Sequence, residues 1–384
     1  MRVLIVSDTY PPDVNGAANF TERLGSGLSG RGHEVHAVAA AGSFHDSVEE
    51  RAGVTVHRLR SVPWPSVDYF RYVLPWDAWV RERTLIDRLR PDVIHVQNHF
   101  VLGRMALGLA ARRGIPVVAT NHFMPENLME HAGIPWAVAK VASAVAYWDL
   151  GRVFGKARAL TAPTRRAVEL FEARTHLGGV QAVSCGIDTE PYRAAAAAAP
   201  ANDVPVILFV GRLDQEKRVD ELLRATAELP ADLPYRVKVV GDGNYRPRWE
   251  QLSQSLGITD KVTFTGFLSD AELLEAYASC DIFCMPGVAE LQSLVTLEAM
   301  SAGKPVVAAN AMALPHLARP GINGWLFEPG DVADLASRLE HLLRDPEERR
   351  RMGAESARLI QSHSLADTLD RFEEIYARVT SVSP

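Results

Sequence analysis

Short, continuously apolar runs alternate with helical patterns along both halves of this chain, and that alternation leaves few folds open. The pattern predicts strands over residues 3–7, 34–39, 54–58, 93–97, 116–120 and 159–162, and again over 206–210, 236–240, 262–265, 282–285, 305–308 and 324–327. A strand that is apolar on both faces must be covered on both, which calls for a parallel sheet with helices above and below. The expectation is therefore an α/β chain of two Rossmann-like, doubly wound domains. A stretch of Tyr192-Arg193, six alanines (Ala194 to Ala199) and Pro200 reads as a linker or a short helix, and either reading puts the boundary near residues 193–204. The domains are then 1–195 and 196–364, with 365–384 carrying a last helix. Ligands of open parallel sheets bind at the carboxyl ends of the strands, so two such domains facing across a cleft would share one ligand.

The rest of the composition narrows the class. With 384 residues, 47% hydrophobic and 23% charged, the chain is neither disordered nor fibrous, and each half is long enough for its own core. No apolar run reaches the roughly 18 residues needed to span a bilayer, and the chain opens on a strand-like Val-Leu-Ile-Val, not on a signal peptide, so a cytoplasmic protein is expected. Cys185, Cys280 and Cys284 have no metal-ligand spacing and no paired framework, which argues against a zinc site and structural disulfides. Arginine outnumbers lysine 35 to 6 and alanine is abundant, as high-GC bacterial coding would give. The net charge of -6 argues against a nucleic-acid partner. Residues 1–195 hold 22 Lys+Arg against 19 Asp+Glu, and residues 196–384 hold 19 against 28. Taken alone, that asymmetry is no more than surface composition.

Two loops of the second half carry chemistry. In Phe209-Val-Gly-Arg-Leu-Asp-Gln-Glu-Lys217 a strand ends at Gly211, which lets backbone approach a ligand, and Arg212 and Lys217 can converge on one anion such as a diphosphate. Read without context, the same loop is a strand-to-helix turn with solvated cations. In Asp281 to Val307 a buried strand breaks at Pro286-Gly287, a loop carries Glu290, and a helix is expected from about Ser293 to Gly303. The first N–H groups of that helix, those of residues 293–296, Ser293, Leu294 and Val295 among them, would form an anion site. Glu290 and Glu298 would flank it, and carboxylates beside a phosphate are better used as acceptors for sugar hydroxyls.

These residues resemble the E-x7-E retaining glycosyltransferases of the GT-B fold, the GT4 family in particular, including its phosphatidylinositol mannosyltransferase-like and glycolipid-forming members. The resemblance runs through six ordered motifs: the Pro-Pro-Asp-Val-Asn15-Gly16 loop, His122 after a strand, Ser184-Cys-Gly-Ile-Asp188, Gly211-Arg-Leu with Glu216-Lys217, Phe264-Thr-Gly-Phe-Leu268, and Glu290 to Glu298. It implies that Glu290 binds the donor sugar and Glu298 the nucleotide ribose, that Arg212, Lys217 and the backbone at Leu294 and Val295 hold the diphosphate, and that Gly16 opens the first loop to the phosphates. Backbone near Leu268 would meet the base, and His122 would stand near the sugar at the reaction centre. His122, Arg212, Lys217 and Glu290 are thus the implied catalytic set, and the final helix is expected to cross back to the first domain. At Glu290-Leu-Gln-Ser293 the chain departs from a commoner Gly-Phe-Gly type run, which narrows backbone freedom there. The resemblance implies a UDP-sugar or GDP-mannose as donor. No Asp-x-Asp pair occurs, so no metal and no other cofactor is implied.

With the donor in the second half, the first half should hold the acceptor. Residues 62–79 pack six of the 29 aromatics into one stretch, as an acceptor wall, an interfacial membrane contact or a loop packed on its own domain. Residues 135–148 are almost wholly apolar and read most simply as a buried helix. Asn15, Tyr69, Asn121 and Glu126 are the acceptor candidates, for a small-molecule, polyol or lipid-linked acceptor, with peripheral contact at the inner membrane face. Competing readings are a sugar-nucleotide epimerase on the same plan and a non-catalytic sugar-nucleotide-binding subunit.

Overall fold

The computed structural model describes residues 1–13, 15–64, 67–125 and 136–381. Contacts divide the chain into two units, Met1–Gly186 with Leu365–Pro384, and Ile187–Ser364.

The first unit is built on β1 (Arg2–Val6), β2 (Glu34–Ala40), β3 (Ser47–Arg51), β4 (Val54–Leu59), β5 (Val62–Trp64), β6 (Val67–Tyr72), β7 (Val93–Val96), β8 (Val117–Thr120), β9 (Ala159–Ala162) and β10 (Gln181–Ala182). Eight strands form one sheet in the order β10-β9-β8-β7-β1-β2-β4-β3, parallel except for the edge strand β3. β1, β7, β8 and β9 are almost entirely buried, because helices cover both faces. The Gly16–Gly30 helix follows β1 and is capped by Asn15, whose side chain accepts from the Ala18 N–H at 2.9 Å. The final helix, Leu365–Ser381, belongs to this unit: Leu369, Phe372, Ile375, Tyr376 and Val379 are buried, and Arg31 pairs with Asp370 and Glu373 at 2.6 Å.

The second unit repeats the plan with β11 (Val206–Val210), β12 (Arg236–Val240), β13 (Val262–Gly266), β14 (Ile282–Met285), β15 (Val306–Ala309) and β16 (Gly324–Phe327), all parallel in the order β13-β12-β11-β14-β15-β16. Its core gathers apolar side chains from every strand, each fully buried one stabilising by about 1.5–3 kcal/mol. In both sheets the winding direction reverses beside the first strand, between β1 and β7 and between β11 and β14. A doubly wound sheet leaves a crevice at the carboxyl ends of such a strand pair, because the loops there diverge to opposite faces.

Several local expectations are corrected. The alanine run is the end of a helix, Glu190–Ala198, the second of the two readings open to it, and by contacts that helix falls in the unit that begins at Ile187. Alanine has the highest helix propensity, which favours the helix of the two readings. The aromatic stretch is not a loop: it holds the β5/β6 hairpin and a helix, Pro75–Leu89, on which Trp76 stands 65% exposed. The apolar 135–148 segment is not a buried helix either. Within Trp136–Phe154, Val138, Val141, Val145 and Trp148 are exposed, while Tyr147, Leu150, Val153 and Phe154 pack inward. The three cysteines are buried and free, and burial pushes the Cys185 and Cys280 thiols up to about 12. No helix among the described residues is long and apolar enough to cross a membrane.

Candidate active site

In the second unit the loops that leave β11 and β14 meet. After β11 the chain runs through Gly211 and Arg212 into a single 3-10 turn, Gln215–Lys217. Arg212 pairs with Asp214 at 2.9 Å and lies 3.6 Å from Glu216, both carboxylates on its own turn and both buried. Lys217 Nζ donates to Glu290 Oε1 at 2.5 Å, across from the β14 loop. The same two loops are tied by the Val288 N–H, which donates to the Glu216 carbonyl at 3.0 Å. Gly287 lies beside the contact: a Cβ there would stand 3.3 Å from Met285 Sδ, 3.4 Å from Glu290 Oε1 and 3.5 Å from Lys217 Cδ. Two cations of the β11 loop are thus held by carboxylates, Arg212 by its own turn and Lys217 by the β14 loop.

The helix after Glu290 is shorter than expected, Leu294–Ser301. Its N-cap, Ser293, has φ +67°, a left-handed conformation that glycine adopts freely and serine adopts at a cost of roughly 1–2 kcal/mol. The Ser293 and Thr296 hydroxyls are 2.8 Å apart and help fix that turn. Leu294 and Val295 are the first two residues of the helix, where N–H groups point out of the N-terminus. Glu298 lies on the buried side of the helix and accepts from the Tyr277 hydroxyl at 2.8 Å. Burial, reinforced by that carboxylate, holds the Tyr277 phenol protonated well above its usual range. Leu268 is half-buried just past Gly266 (φ +72°), next to an exposed Phe267.

Sequence reasoning passed over Gly241-Asp242-Gly243 at the end of β12. A Cβ on Gly241 would lie 2.0 Å from the Gly211 carbonyl, and one on Gly243 within 2.6–2.8 Å of the Leu213 backbone. Leu213 N–H donates to the Asp242 carbonyl and Tyr245 N–H to that of Leu213, at 2.9 and 2.8 Å. This loop is a backbone buttress under the Arg212 turn. The Gly-x-Gly after a strand was the available signal.

In the first unit, Asn15 and Gly16 open the helix after β1, with Gly16 exposed. Asn121 follows β8, where its side-chain oxygen accepts from the Phe123 N–H at 3.2 Å in a local turn. His122 Nε2 stands 2.9 Å from Gln97 Oε1, and its ring packs on Phe20 at 4.9 Å. Burial pushes the His122 imidazole down to about 4, so it is neutral at pH 7. Beside it, His95 bridges Tyr376 of the final helix (2.7 Å) and Thr120 (2.6 Å), and burial first, then proximity to His122, pushes it to about 3. Gln97, Asn98 and His99, all buried at the carboxyl end of β7, were not singled out from sequence. A polar run directly after an apolar strand was the signal. The Tyr69 side chain and Glu126 lie outside the described residues. Thus Gly211, Arg212, Lys217, Glu290, Ser293, Leu294, Val295, Glu298 and Leu268 belong to the second unit, and Asn15, Gly16, Asn121 and His122 to the first.

Comparison with known proteins finds two family matches along the chain. The family described as Glycosyltransferase Family 4 matches residues 14–191, and that described as Glycosyl transferases group 1 matches residues 194–358. The chain is 30% identical to the GDP-mannose-dependent alpha-mannosyltransferase of Mycolicibacterium smegmatis, over 94% of this chain and 92% of that protein. It is 31% identical to the sulfoquinovosyl transferase of Arabidopsis thaliana, over 88% of this chain and 66% of that protein. Among solved structures, the sucrose-phosphate synthase of Thermosynechococcus elongatus superposes with a TM-score of 0.84 at 20% identity, covering 99% of both chains.

Proposed function

The chain belongs to glycosyltransferase family 4, and from that premise we propose that it is a retaining, metal-independent hexosyltransferase. Its donor is a nucleotide sugar, UDP-linked or GDP-mannose, and its acceptor a hydroxyl of a lipid-linked, polyol or other small molecule. The observation that carries this reading is the Lys217–Glu290 contact at 2.5 Å, with carboxylate-held Arg212 beside it on the same turn. As the glycosidic bond to the diphosphate breaks, negative charge gathers on the departing oxygens and positive charge on the sugar ring. Arg212, Lys217 and the N–H groups of Leu294 and Val295 supply fixed positive charge for the first. Glu290 shares an oxygen with Lys217, so it is placed to accept a sugar hydroxyl as the lysine turns to phosphate. Glu298, braced by Tyr277, is suited to a ribose hydroxyl. His122 of the first unit is the candidate neighbour of the sugar. Retention is accounted for by same-face substitution, with the leaving phosphate taking the acceptor's proton.

Peripheral membrane contact is part of the proposal for a lipid-linked acceptor, and the exposed Val138, Val141, Val145 and Trp148 beside exposed Lys140 support it. The test is a panel of UDP-, GDP-, ADP- and TDP-sugars scored for slow hydrolysis without acceptor, with and without EDTA. One donor should be hydrolysed, EDTA should leave the rate unchanged, and Arg212→Ala or Lys217→Ala should lower it about 100-fold or more. Wild-type rates in both variants would refute the diphosphate assignment. Failure to sediment with anionic vesicles at low salt would remove the membrane contact.

A further inference from the structure

His122 can face a sugar in two ways, as an acceptor through a bare ring nitrogen or as a donor through N–H, and its tautomer decides which. The neighbour that sets this is Gln97. Its backbone N–H donates to the Val6 carbonyl at 2.9 Å, which fixes the residue at the carboxyl end of β7, beside β1 at the reversal of the sheet. Its side chain is fully buried, and Oε1 meets His122 Nε2 at 2.9 Å. In this arrangement the Gln97 carboxamide turns its oxygen to the ring and leaves its nitrogen buried without a hydrogen-bond partner among the described residues; the oxygen accepts, so the shared hydrogen comes from Nε2 and the lone pair lies on Nδ1. Phe20 packs on the ring at 4.9 Å, and Phe372 of the final helix backs Phe20 at 5.9 Å.

Resting on the reading of His122 as the neighbour of the reacting sugar, we propose that Gln97 is a positioning residue that keeps His122 neutral, with its hydrogen on Nε2 and Nδ1 presented as an acceptor for a hydroxyl. The amide matters as much as the oxygen. A carboxylate at the same distance would favour the imidazolium, and an imidazolium would oppose the positive charge that grows on the sugar ring as the donor bond breaks. Burial acts in the same direction and pushes His122 to about 4. The surrounding titratable groups leave that balance alone. His95 of β7 is itself neutral, and Tyr376 of the final helix, hydrogen-bonded to it, is a phenol held protonated by burial. Glu22 of the Gly16–Gly30 helix is engaged by Arg51, Arg23 lies towards Cys185, and Glu373 is engaged by Arg31 and His33.

The experiment is nitrogen NMR of histidine-labelled full-length chain, with His122 assigned through His122→Ala, paired with pH–rate profiles. In the wild type, Nε2–H with bare Nδ1 should persist from pH 5 to 9. Gln97→Glu should keep that hydrogen on Nε2 but carry imidazolium upward, shifting the acid limb of kcat by at least about one pH unit, with activity recovering at high pH. Gln97→Met should mix the tautomers and lower kcat about tenfold or more with little change in donor KM. Hydrogen on Nδ1 in the wild type, or Gln97→Met with unchanged tautomer and kcat, would overturn the proposal. The two readings separate cleanly. If His122→Ala transfers sugar at the wild-type rate while the ring is on Nε2–H, the role of His122 is wrong and the hold of Gln97 on the ring stands.

Discussion

Asp8 stands just past β1 and is 2% exposed. Its Oδ1 accepts from the Leu102 N–H at 3.3 Å, its other oxygen faces the Asn98 amide nitrogen, and its own N–H donates to the Asn98 side-chain oxygen at 2.9 Å. These contacts do not compensate for burial, which pushes the carboxyl up to about 7, with the Leu102 N–H opposing. Glu82, on the Pro75–Leu89 helix, is 1% exposed and is raised well above its usual range by burial and then by the charge of Asp8. An unfolded Asp titrates near 3.9, so the difference of about three units corresponds to about 4 kcal/mol. The folded value lies above the unfolded one, so the stabilisation is complete below about pH 4 and is lost as pH rises through about 7. Above that the curve is flat in this contribution. Asp8→Asn keeps the shape and cannot ionise. Its urea-unfolding free energy, followed by tryptophan fluorescence (five of the seven tryptophans are in the first unit), should therefore fall less between pH 5 and 8 than that of the wild type, by about 2.5 kcal/mol, the part of the total that lies above pH 5. Identical slopes for the two chains over that range would show that Asp8 is not a buried, neutral acid.

Three further outcomes follow from the second unit. Gly241→Ala places a Cβ 2.0 Å from the Gly211 carbonyl at φ +124°, so it should destabilise this unit by more than about 2 kcal/mol and raise the donor KM; a thermal melt and a titration with nucleotide check both. Tyr277→Phe strips a hydrogen bond from buried Glu298, which should cost about 1–3 kcal/mol by denaturant melts and weaken binding of the free nucleotide, with a smaller effect on kcat. Ser293→Gly should be within about 1 kcal/mol of the wild type, whereas Ser293→Val, branched at φ +67°, should lose at least about 1–2 kcal/mol and most donor binding; equal melts for the two would refute the strained cap.

The parts of the molecule that sequence made legible are those fixed by local pattern. All twelve expected strands are present to within a residue or two, because an apolar run with both faces buried has few other ways to satisfy its backbone. What stayed hidden depends on distant partners. β3 is exposed at every position and becomes a strand only by pairing with β4. The outward Val138, Val141, Val145 and Trp148 look identical in sequence to core residues, since composition does not say which side of a helix meets the sheet. The same holds at the site. Arg212, Lys217, Glu290 and Glu298 stand out as charges in strand-terminal loops, but Gly241 and Tyr277 act through a close backbone approach and a single hydroxyl, 30 and 21 residues from the groups they serve.

The residue 196–384 half carries 19 cations against 28 carboxylates, yet it is the half proposed to take an anionic nucleotide sugar. The pairings at the site resolve the tension. A lysine or arginine free in solvent must give up rotamer freedom to meet a phosphate, about 2 kcal/mol for either side chain. Here Arg212 is already placed by Asp214 and Lys217 by Glu290, so that cost is met on folding and not on binding. A diphosphate offers more charge and more acceptor oxygens than one carboxylate, and it can draw Lys217 from Glu290 without moving the backbone. Glu290 then keeps an oxygen for the sugar. The carboxylates that make this half acidic include those that aim its cations, so on the proposed reading selectivity for a diphosphate-linked sugar over a simple anion would come from short-range geometry and would survive a net field of the wrong sign.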